Sequence, residues 1–319
     1  MGYSDLISTA DALALMPTEQ RMEIIKATLD KSYAMQFCRK LRNMSSRTTT
    51  LKVSSEIAQG GFVNAPSGAV AGGLIETTSA NWEDVVMTAE KIATFVVIDN
   101  DTIADSEVDI FGEVKTQVSA DIAAIFDGAV LAGTNTPASW PTGGIRTHAV
   151  DAGNSVALGA GADLYDDLLA ESGVFSTVEA DGFSVSGAIG AVSLKSRMRG
   201  VRSSDGVPIF VRVPGQTTPY ELDGVPCAFP THGGFPSTNT HLIVGDFTNS
   251  VWAMRQELDI KLLTEGVLTD AAGNITHNLG QQDMVALRFT IRLGFALPNP
   301  VNQLQPTKAS RSPFGVLTV

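Results

Sequence analysis

The longest regular pattern of apolar positions runs from Asp105 to Gly133 and predicts a single amphipathic helix. Its apolar side chains recur every three or four residues, so they lie on one face. Ser106 and Asp109 resemble a capping box at the start, and Gly133 suits the end. At 1.5 Å per residue the helix is about 40 Å long, so we expect it to act as a spine for the fold. Its predicted core face consists of Phe111, Val114, Val118, Ile122, Ile125, Phe126 and Ala129.

The stretch before this helix has the pattern of a long two-stranded ribbon. Thr49 to Ile57 and Trp82 to Val97 are predicted strands, and the residues between them are rich in glycine. No Lys or Arg occurs between Val53 and Glu90. An isolated pair of strands is only marginally stable in water, so we expect something outside the monomer to cover the ribbon. Lys91 to Ile98 is predicted as a short buried strand that leads into the spine helix.

The N-terminal part predicts a short amphipathic helix from Thr18 to Tyr33, with apolar residues at helical spacing. A run of basic residues follows it on an otherwise acidic chain. Two interpretations of this run stay open: a solvated loop, or an arm that lies across an acidic neighbour or contacts phosphate. The basic residues are Arg39, Lys40, Arg42 and Arg47.

The remainder predicts a mixed region of helices and strands after a turn-rich boundary, GTNTPASWPTGGI. The clearest strand is Met284 to Phe295, in which apolar and polar residues alternate. We expect Leu258 to Leu263 to pair with it as a hairpin whose long polar loop projects. The other predicted helices are Asp163 to Val178 and Ala191 to Gly200, and the other strands are Phe183 to Val185, Val207 to Val213, Val225 to Phe229, Leu242 to Val244 and Val251 to Met254.

Composition and charge exclude several classes of protein. The chain has 319 residues, 22 basic residues and a net charge of −12, which argues against a protein whose main surface grips nucleic acid or anionic lipid. Cys38 and Cys227 form no CxxC pair, so we interpret them as buried thiols in a reducing compartment. No apolar run approaches the ~20 residues of a membrane span.

Candidate chemistry is sparse. The histidines His148, His232, His241 and His277 lack metal-ligand spacing. Gly159-Ala160-Gly161 begins like a dinucleotide fingerprint but lacks the third glycine, and Gly182 to Ser186 fails the nucleophile-elbow pattern. The acidic stretch DNDTIADSEVD lacks the central Gly and closing Glu of a calcium loop. We therefore predict no catalytic residues, no metal and no cofactor, although a triad of distant residues would escape such a search.

The order of these elements resembles the major capsid proteins of tailed bacteriophages, which have the Hong Kong 97-type fold. Three passages carry the resemblance: WEDVVMTAEKIATFVVI, LDGVPCAF, and LIVGDFTNSVWAMR together with RFTIRLGFALPNP. The resemblance implies an α+β fold with an N-terminal arm (1–48), an extended ribbon loop (49–83), a peripheral domain with the long spine helix (84–133 and 248–300) and an axial α/β domain (134–247). The placement of the C-terminal tail (301–319) is left open.

The resemblance also implies a shell subunit that forms hexamers and pentamers and encloses double-stranded DNA without sequence-specific binding. Such a protein is part of the virion, is assembled in the host cytoplasm and has no membrane partner. A separate scaffolding protein, a portal and decoration proteins are the further partners it implies. We expect contacts between copies at Phe62, Val63, Val70, Leu74 and Ile75 of the ribbon and at Arg39, Lys40, Arg42 and Arg47 of the arm.

Some members of this family join their subunits through an isopeptide bond between a Lys of the ribbon loop and an Asn, helped by a buried carboxylate on the returning strand. This chain has no Lys from 53 to 90 and no Asp or Glu from 284 to 295, so we expect a shell held by non-covalent contacts.

Two alternatives remain at this point. An encapsulin-type nanocompartment has the same fold but encloses enzymes. A cytoplasmic α/β hydrolase with a dispersed active site belongs to a different class, and it leaves the glycine-rich ribbon unexplained.

Overall fold

The structure, a computed structural model, describes residues 32–58, 77–105, 110–201, 220–270 and 272–319. Three predicted features lie outside these residues: most of the helix from Thr18 to Tyr33, the ribbon tip, and the strand from Val207 to Val213. The first described helix, α1 (Tyr33–Phe37), begins where the predicted N-terminal helix ends.

Within the described residues the first sheet has five strands. They are β1 (Arg39–Lys40), β2 (Thr48–Glu56), β3 (Asn81–Asp99), β9 (Val251–Leu263) and β12 (Met284–Ala296). Their order across the sheet is β1-β9-β12-β3-β2, so the strand with the clearest alternation lies at the centre. β12 pairs antiparallel with both β3 and β9, which confirms the predicted hairpin. β2 and β3 pair antiparallel as the stem of the ribbon, as predicted.

The second sheet has six strands in the described part of the chain. They are β4 (Ser155–Ala157), β5 (Gly187–Gly190), β6 (Tyr220–Leu222), β7 (Val225–Ala228), β8 (Thr240–Gly245) and β13 (Phe314–Thr318). Their order is β4-β13-β8-β5-β7-β6, so the C-terminal strand lies between β4 and β8. This sheet packs with the helices α4 (Gly144–Ala152), α5 (Leu164–Leu169), α6 (Val174–Ala180) and α7 (Val192–Gly200).

The spine helix is confirmed as a helix that ends at Gly133. Its described part consists of α3 (Ile110–Asp127) and a final π-helical turn (Gly128–Ala132), a short helix α2 (Asn100–Asp105) comes before it in the chain, and the residues of the predicted capping box lie outside the described ranges. Gly133 adopts a left-handed conformation with φ of 70° and closes the last turn. The helix packs on the first sheet, and together with one face of the central strands β5, β8 and β13 of the second sheet they form the main hydrophobic core.

One residue of the predicted core face is misplaced, because Ile125 is 42% exposed. Val118, Ile122, Phe126 and Ala129 are buried as predicted. The face that is actually buried includes the small side chains of Ser119 and Ala123. A prediction based only on large apolar residues overlooks these two positions and therefore places the buried face slightly too far toward Ile125. Small residues let the helix approach the sheet closely, and Ile125 is left at the edge of the contact.

Several predicted strands have different limits in the structure. Lys91 to Ile98 is the end of the 19-residue strand β3, and its burial alternates because only one face meets the core. Val251–Met254 and Leu258–Leu263 are one strand, since bulges opposite Thr290 to Leu293 accommodate the polar residues between them. The projecting loop is not wholly irregular, because β10 (Val267–Thr269) and β11 (Ile275–Asn278) pair within it.

The second half of the chain shows three further differences. The predicted helix from Asp163 to Val178 is two helices broken before Gly173, where a Cβ would lie 2.7 Å from the Leu168 carbonyl. Asp163 does cap the first of them, as predicted. The strand expected at Phe183 to Val185 lies instead at Gly187–Gly190, a run of small residues without a strand pattern. Helix α4 was not predicted at all.

Candidate functional site

No metal or membrane site emerges from the part of the chain that the structure describes. There, no group of three or more His, Cys, Asp or Glu side chains could hold a metal ion. None of the described helices is long and apolar enough to cross a membrane. His148 contacts the Ser312 hydroxyl at 2.9 Å, and burial lowers its pKa and that of His241. The histidines are thus distributed over separate local contacts.

The ribbon stem projects from the first sheet and carries large exposed apolar side chains. Trp82 is 68% exposed and Val86 is 54% exposed, and both belong to β3 where it pairs with β2. The five ribbon residues that the sequence selects as contacts lie outside the described residues: Phe62, Val63, Val70, Leu74 and Ile75.

The basic run is not a single cluster. Arg39 and Lys40 form β1, which pairs in parallel with Val251 and Trp252 at the edge of the first sheet. The Lys40 ammonium lies 5.3 Å from the ring centroid of Trp252, a cation–π distance. Arg42 is exposed, and Arg47 lies beside the ribbon stem with its guanidinium 3.5 Å from Glu90.

The segment that contains these residues is fixed to the body. The amides of Leu41 and Met44 donate to the carbonyl oxygens of Trp252 and Met254, each at 2.8 Å. The Met44 side chain is buried with Met87, Ala89 and neighbouring apolar residues in a small separate core. Residues 39–44 are therefore firmly attached to the first sheet.

The attachment point of the arm centres on Asp127, a fully buried carboxylate near the end of the spine helix. It accepts hydrogen bonds from the Ser32 hydroxyl at 2.6 Å and from the amides of Tyr33 and Ala34 at 3.0 and 3.1 Å. Ser32 in turn accepts from the Met35 amide at 3.2 Å, which caps α1. A buried carboxylate is tolerated only when it is paired and hydrogen-bonded, and these donors meet that condition.

His232 brings a loop of the second sheet to the same carboxylate. Its Nε2 lies 2.9 Å from Asp127 Oδ2, while the Gly234 amide donates to its Nδ1 at 3.3 Å. Nδ1 accepts that bond, and Nε2 faces Asp127 in a close contact whose geometry falls short of a hydrogen bond. Asp127 thus joins the arm, the spine helix and the loop at 230–234. Sequence analysis missed it because its partners are distant in the chain.

The end of the spine depends on a close approach between glycines. At Gly144, with φ of +63°, a Cβ would lie 2.4 Å from the Val130 carbonyl oxygen, and at Gly133 it would lie 2.2 Å from the Gly143 Cα. The π-helical turn and the start of α4 therefore touch backbone to backbone. Such contacts need residues without a Cβ and with access to positive φ.

A C-terminal segment braces the ribbon stem against the second sheet. The Val301 amide donates to the Ser54 carbonyl of β2 at 3.0 Å, and Lys308 forms an ion pair with Glu83 of β3 at 2.5 Å. Asn302 donates its side-chain amide to the Asp181 carbonyl at 2.6 Å on the other side. Residues 301–308 therefore connect the ribbon stem to the region of the second sheet.

Arg311 anchors this brace from inside. Arg311 is 1% exposed. Its guanidinium donates a hydrogen bond to the side-chain oxygen of Asn299 at 3.0 Å. It also donates to the carbonyl oxygens of Gln305, Pro306 and Asn299 at 2.8, 3.1 and 3.1 Å. One buried side chain thus holds the turn from both ends.

Comparison with known proteins assigns this architecture. Residues 13–305 match the phage capsid family. The chain belongs to that family.

Relatives of this capsid protein include a probable major capsid protein, gp17, of Mycobacterium phage D29. It is 26% identical over 225 residues, which cover 68% of each chain. A solved structure from Microbacterium phage Oxtober96 is 32% identical, covers 98% of this chain and 99% of its own, and superposes with a TM-score of 0.75. One from Mycobacterium phage Cain is 26% identical, covers 99% and 98%, and has a TM-score of 0.76.

These matches establish the capsid fold and role. The fold is the α+β Hong Kong 97-type capsid fold, and the chain is a major capsid protein of a tailed phage. A capsid protein is a structural component of the virion, so the protein is not an enzyme and the hydrolase interpretation is wrong. The matches favour a phage shell over an encapsulin-type compartment.

Proposed function

We propose that this capsid protein assembles into hexamers and pentamers of an icosahedral shell that encloses double-stranded DNA. The observation that carries the proposal is the ribbon stem, whose Trp82 and Val86 are exposed in the single chain although they are large and apolar. An exposed apolar ribbon is a site for association with another chain. In a ring of copies, each ribbon has a neighbour to cover it.

The ribbon tip extends the same contact. Phe62, Val63, Val70, Leu74 and Ile75 are our candidates for burial between copies. At about 25 cal/mol per Å² of apolar area, such contacts repeated around a ring supply a large part of the assembly free energy.

The basic run contributes charge at the arm. Arg39 and Arg42 are exposed on the segment next to the sheet edge, where they can contact an acidic surface of a neighbouring copy, and Lys40 and Arg47 are candidates for the same role. Lys40 and Arg47 also have internal contacts, with Trp252 and Glu90, so we expect their replacement to weaken assembly less.

The interior of the shell is suited to a genome that is enclosed but not gripped. The net charge of −12 disfavours tight binding to phosphate, so DNA is packaged without sequence-specific contacts. A separate scaffolding protein, a portal and decoration proteins complete the proposed assembly, which takes place in the host cytoplasm and is held by non-covalent contacts. Ladders of covalent multimers on denaturing gels of mature particles would contradict the last point.

The division into parts follows from the same proposal. The arm is residues 1–48, the ribbon loop 49–83, the peripheral domain 84–133 and 248–300, and the axial domain 134–247. We add residues 301–319 as the ribbon brace and the last strand of the second sheet, since Val301, Lys308 and β13 make those contacts.

The experiment compares Trp82→Ser with Tyr165→Ser, which replaces another exposed aromatic residue, 39% exposed on α5. Each variant is expressed alone and together with the neighbouring head genes, and the products are separated by sedimentation. We expect wild type and Tyr165→Ser to form shells or rings, and Trp82→Ser to remain as folded single subunits. Shells formed by Trp82→Ser as efficiently as by wild type would count against the ribbon as the main contact.

A further inference from the structure

The face of the first sheet that points away from the spine helix carries a group of positive charges. Ile92, Ile260, Phe289 and Ile291 of this sheet point into the main core with the helix. Because side chains alternate along a strand, their neighbours point to the opposite face. Four of those neighbours are cations, and we call them the basic sheet face: Lys91, Lys261, Arg288 and Arg292.

The four cations form like-charged pairs across the strands. Arg288 is directly opposite Lys261 of β9, and Arg292 is directly opposite Lys91 of β3. Like charges at directly opposed positions destabilise a sheet. Among the described residues, none of the four makes an ion pair or a side-chain hydrogen bond. Among the described residues, the four cations of this face are therefore not paired with carboxylates, and Asp259, opposite Thr290, is the acidic residue whose strand position lies between the two pairs.

Some of the charged nitrogen atoms on this face are also buried from solvent. The Nε atoms of Arg288 and Arg292 are buried and have no hydrogen-bond partner among the described residues. The same holds for Nη1 of Arg255, which lies in the bulge of β9 next to Gln256, the residue opposite Arg292. A buried donor without a partner is costly, and a charged one more so. Ordinary solvation of a surface does not account for these nitrogens.

The same face is already covered at its other end. Met44 packs there against Met87, Ala89 and Ala253, and its sulfur would lie 2.9 Å from a Cβ placed on Gly294. The cover supplied by Met44 stops at this point. Farther along the same face Thr290 is buried, whereas Arg288, Arg292 and Lys261 are partly exposed and Lys91 is exposed. Within the part of the chain that the structure describes, the face is thus covered at one end and partly accessible where its charges lie.

We propose that the basic sheet face binds carboxylates of a second copy of this chain. This inference rests on the proposed assembly into rings. The chain has 34 acidic residues against 22 basic ones, so another copy is the most abundant source of carboxylates in a shell. Complementary charge gives such a contact its orientation and its specificity more than its strength.

The chemistry of the face favours a protein segment over a phosphate backbone. Asp259 lies opposite Thr290 and interrupts the row of cations, so the face presents two separate cation pairs that suit individual carboxylates rather than the continuous positive track that a line of phosphates needs. Phe95 lies opposite Arg288 and is 48% exposed, which adds an apolar contact beside the charges. A surface that alternates cations, one carboxylate and an aromatic ring matches an acidic, partly apolar peptide.

Zero-length cross-linking tests the identity of the occupant. A carbodiimide joins a lysine amine directly to a carboxylate that touches it, so Lys91 and Lys261 are reporters on this face. Shells are prepared from a mixture of light and ¹⁵N-labelled chains, which distinguishes links between copies from links within one. We expect mixed-isotope links from Lys91 and Lys261 to Asp or Glu peptides of this chain. Links only within one copy, links to a different protein, or no links at these lysines would overturn the proposal.

Charge reversal provides a second, independent test of the proposal. Arg288→Glu with Arg292→Glu places carboxylates opposite Lys261 and Lys91, so the folded subunit should be at least as resistant to heat as wild type. Its yield of shells should fall about tenfold, because the face then repels acidic partners. Arg197→Glu, an exposed reversal on α7, is the matched control and should assemble as wild type.

The outcomes separate this inference from the proposed function. Wild-type shells together with normal assembly of the double variant would contradict the basic sheet face alone. Failure of the wild type to form any shell with its neighbouring head proteins would contradict the proposed function, and this inference with it. Retention of DNA by the face in filter binding, lost on charge reversal while shells still form, would replace the second copy by nucleic acid.

Discussion

The hydroxyl of Ser32 donates a hydrogen bond of 2.6 Å to the buried carboxylate of Asp127, although 95 positions separate the two residues in the chain. The same carboxylate caps α1 and faces His232. A single side chain therefore fixes the start of α1 to the spine helix and brings both to a loop of the second sheet.

Asp127→Asn should loosen this junction. The amide group presents a donor where Asp127 accepts on both oxygens, so at least one of the three hydrogen-bond donors loses its acceptor. We expect a loss of about 2–3 kcal/mol in the free energy of unfolding, and faster trypsin cleavage at Lys31. Asp121→Asn, on the exposed side of the same helix, is the control and should stay within about 0.5 kcal/mol of wild type. Equal behaviour of the two variants would contradict the role of Asp127.

Arg311→Met tests the brace of the ribbon. The change leaves the side-chain oxygen of Asn299 and three carbonyl oxygens without their buried donor, which should destabilise the subunit by about 3 kcal/mol. Lys308→Met removes only the exposed ion pair to Glu83 and should cost less than about 1 kcal/mol. Thermal unfolding of the two variants side by side measures the difference. A larger effect from Lys308→Met would show that the brace is held from its surface.

Gly144→Ala and Gly153→Ala separate close packing from backbone conformation. Both glycines have positive φ, +63° and +91°, so alanine strains each by about 1–2 kcal/mol. Only at Gly144 would the new Cβ meet the backbone, 2.4 Å from the Val130 oxygen, whereas nothing lies within 4 Å at Gly153. Urea titration should therefore show a clearly larger loss of stability for Gly144→Ala. Equal losses would mean that the π-helical turn can move aside.

The two thiols predict an alkaline limit to stability. Burial raises the pKa of Cys38 and that of Cys227 from 9.0 to about 12, and at Cys38 the Ser250 hydrogen bond opposes the shift while Asp127 adds to it. Since the folded pKa is the higher one, the folded subunit is favoured below pH 9 and loses stability as the pH rises from about 9 to about 12. The slope is on the order of 1 kcal/mol per pH unit for each thiol.

Alkylation provides the direct readout of these thiols. The thiolate is the reactive form, so iodoacetamide at pH 8 should label neither Cys38 nor Cys227 in the folded subunit and both in urea. Rapid labelling of either residue without denaturant would contradict its burial and its raised pKa.

The periodic parts of the fold were predictable from sequence because one face of each element meets the core. Alternation in β12 and three- to four-residue spacing in α3 identify their buried faces, and Gly133 ends the spine where it should. The errors occur where burial does not follow large apolar residues. Ser119 and Ala123 are buried because they are small. Strand β5 begins with a glycine because the Phe37 ring lies 2.4 Å from where a Cβ of Gly187 would be.

The long-range contacts that hold the subunit together could not be predicted from the sequence. Asp127, Arg311 and the cation pairs of the basic sheet face act through partners far away in the chain, and a single sequence carries no signal for those pairings. The bulges that let β9 continue past its polar residues depend on the register with β12, which also arises only in the folded sheet. The ribbon tip and its five contact candidates remain a prediction.

Cryo-electron microscopy of particles from co-expression with the neighbouring head proteins tests the central claim most directly. We expect closed icosahedral shells built of rings of six and five copies, in which each ribbon, with Trp82 on its stem, lies against the next copy. A stable compact monomer under all these conditions, with its ribbon covered by its own chain, would contradict the account.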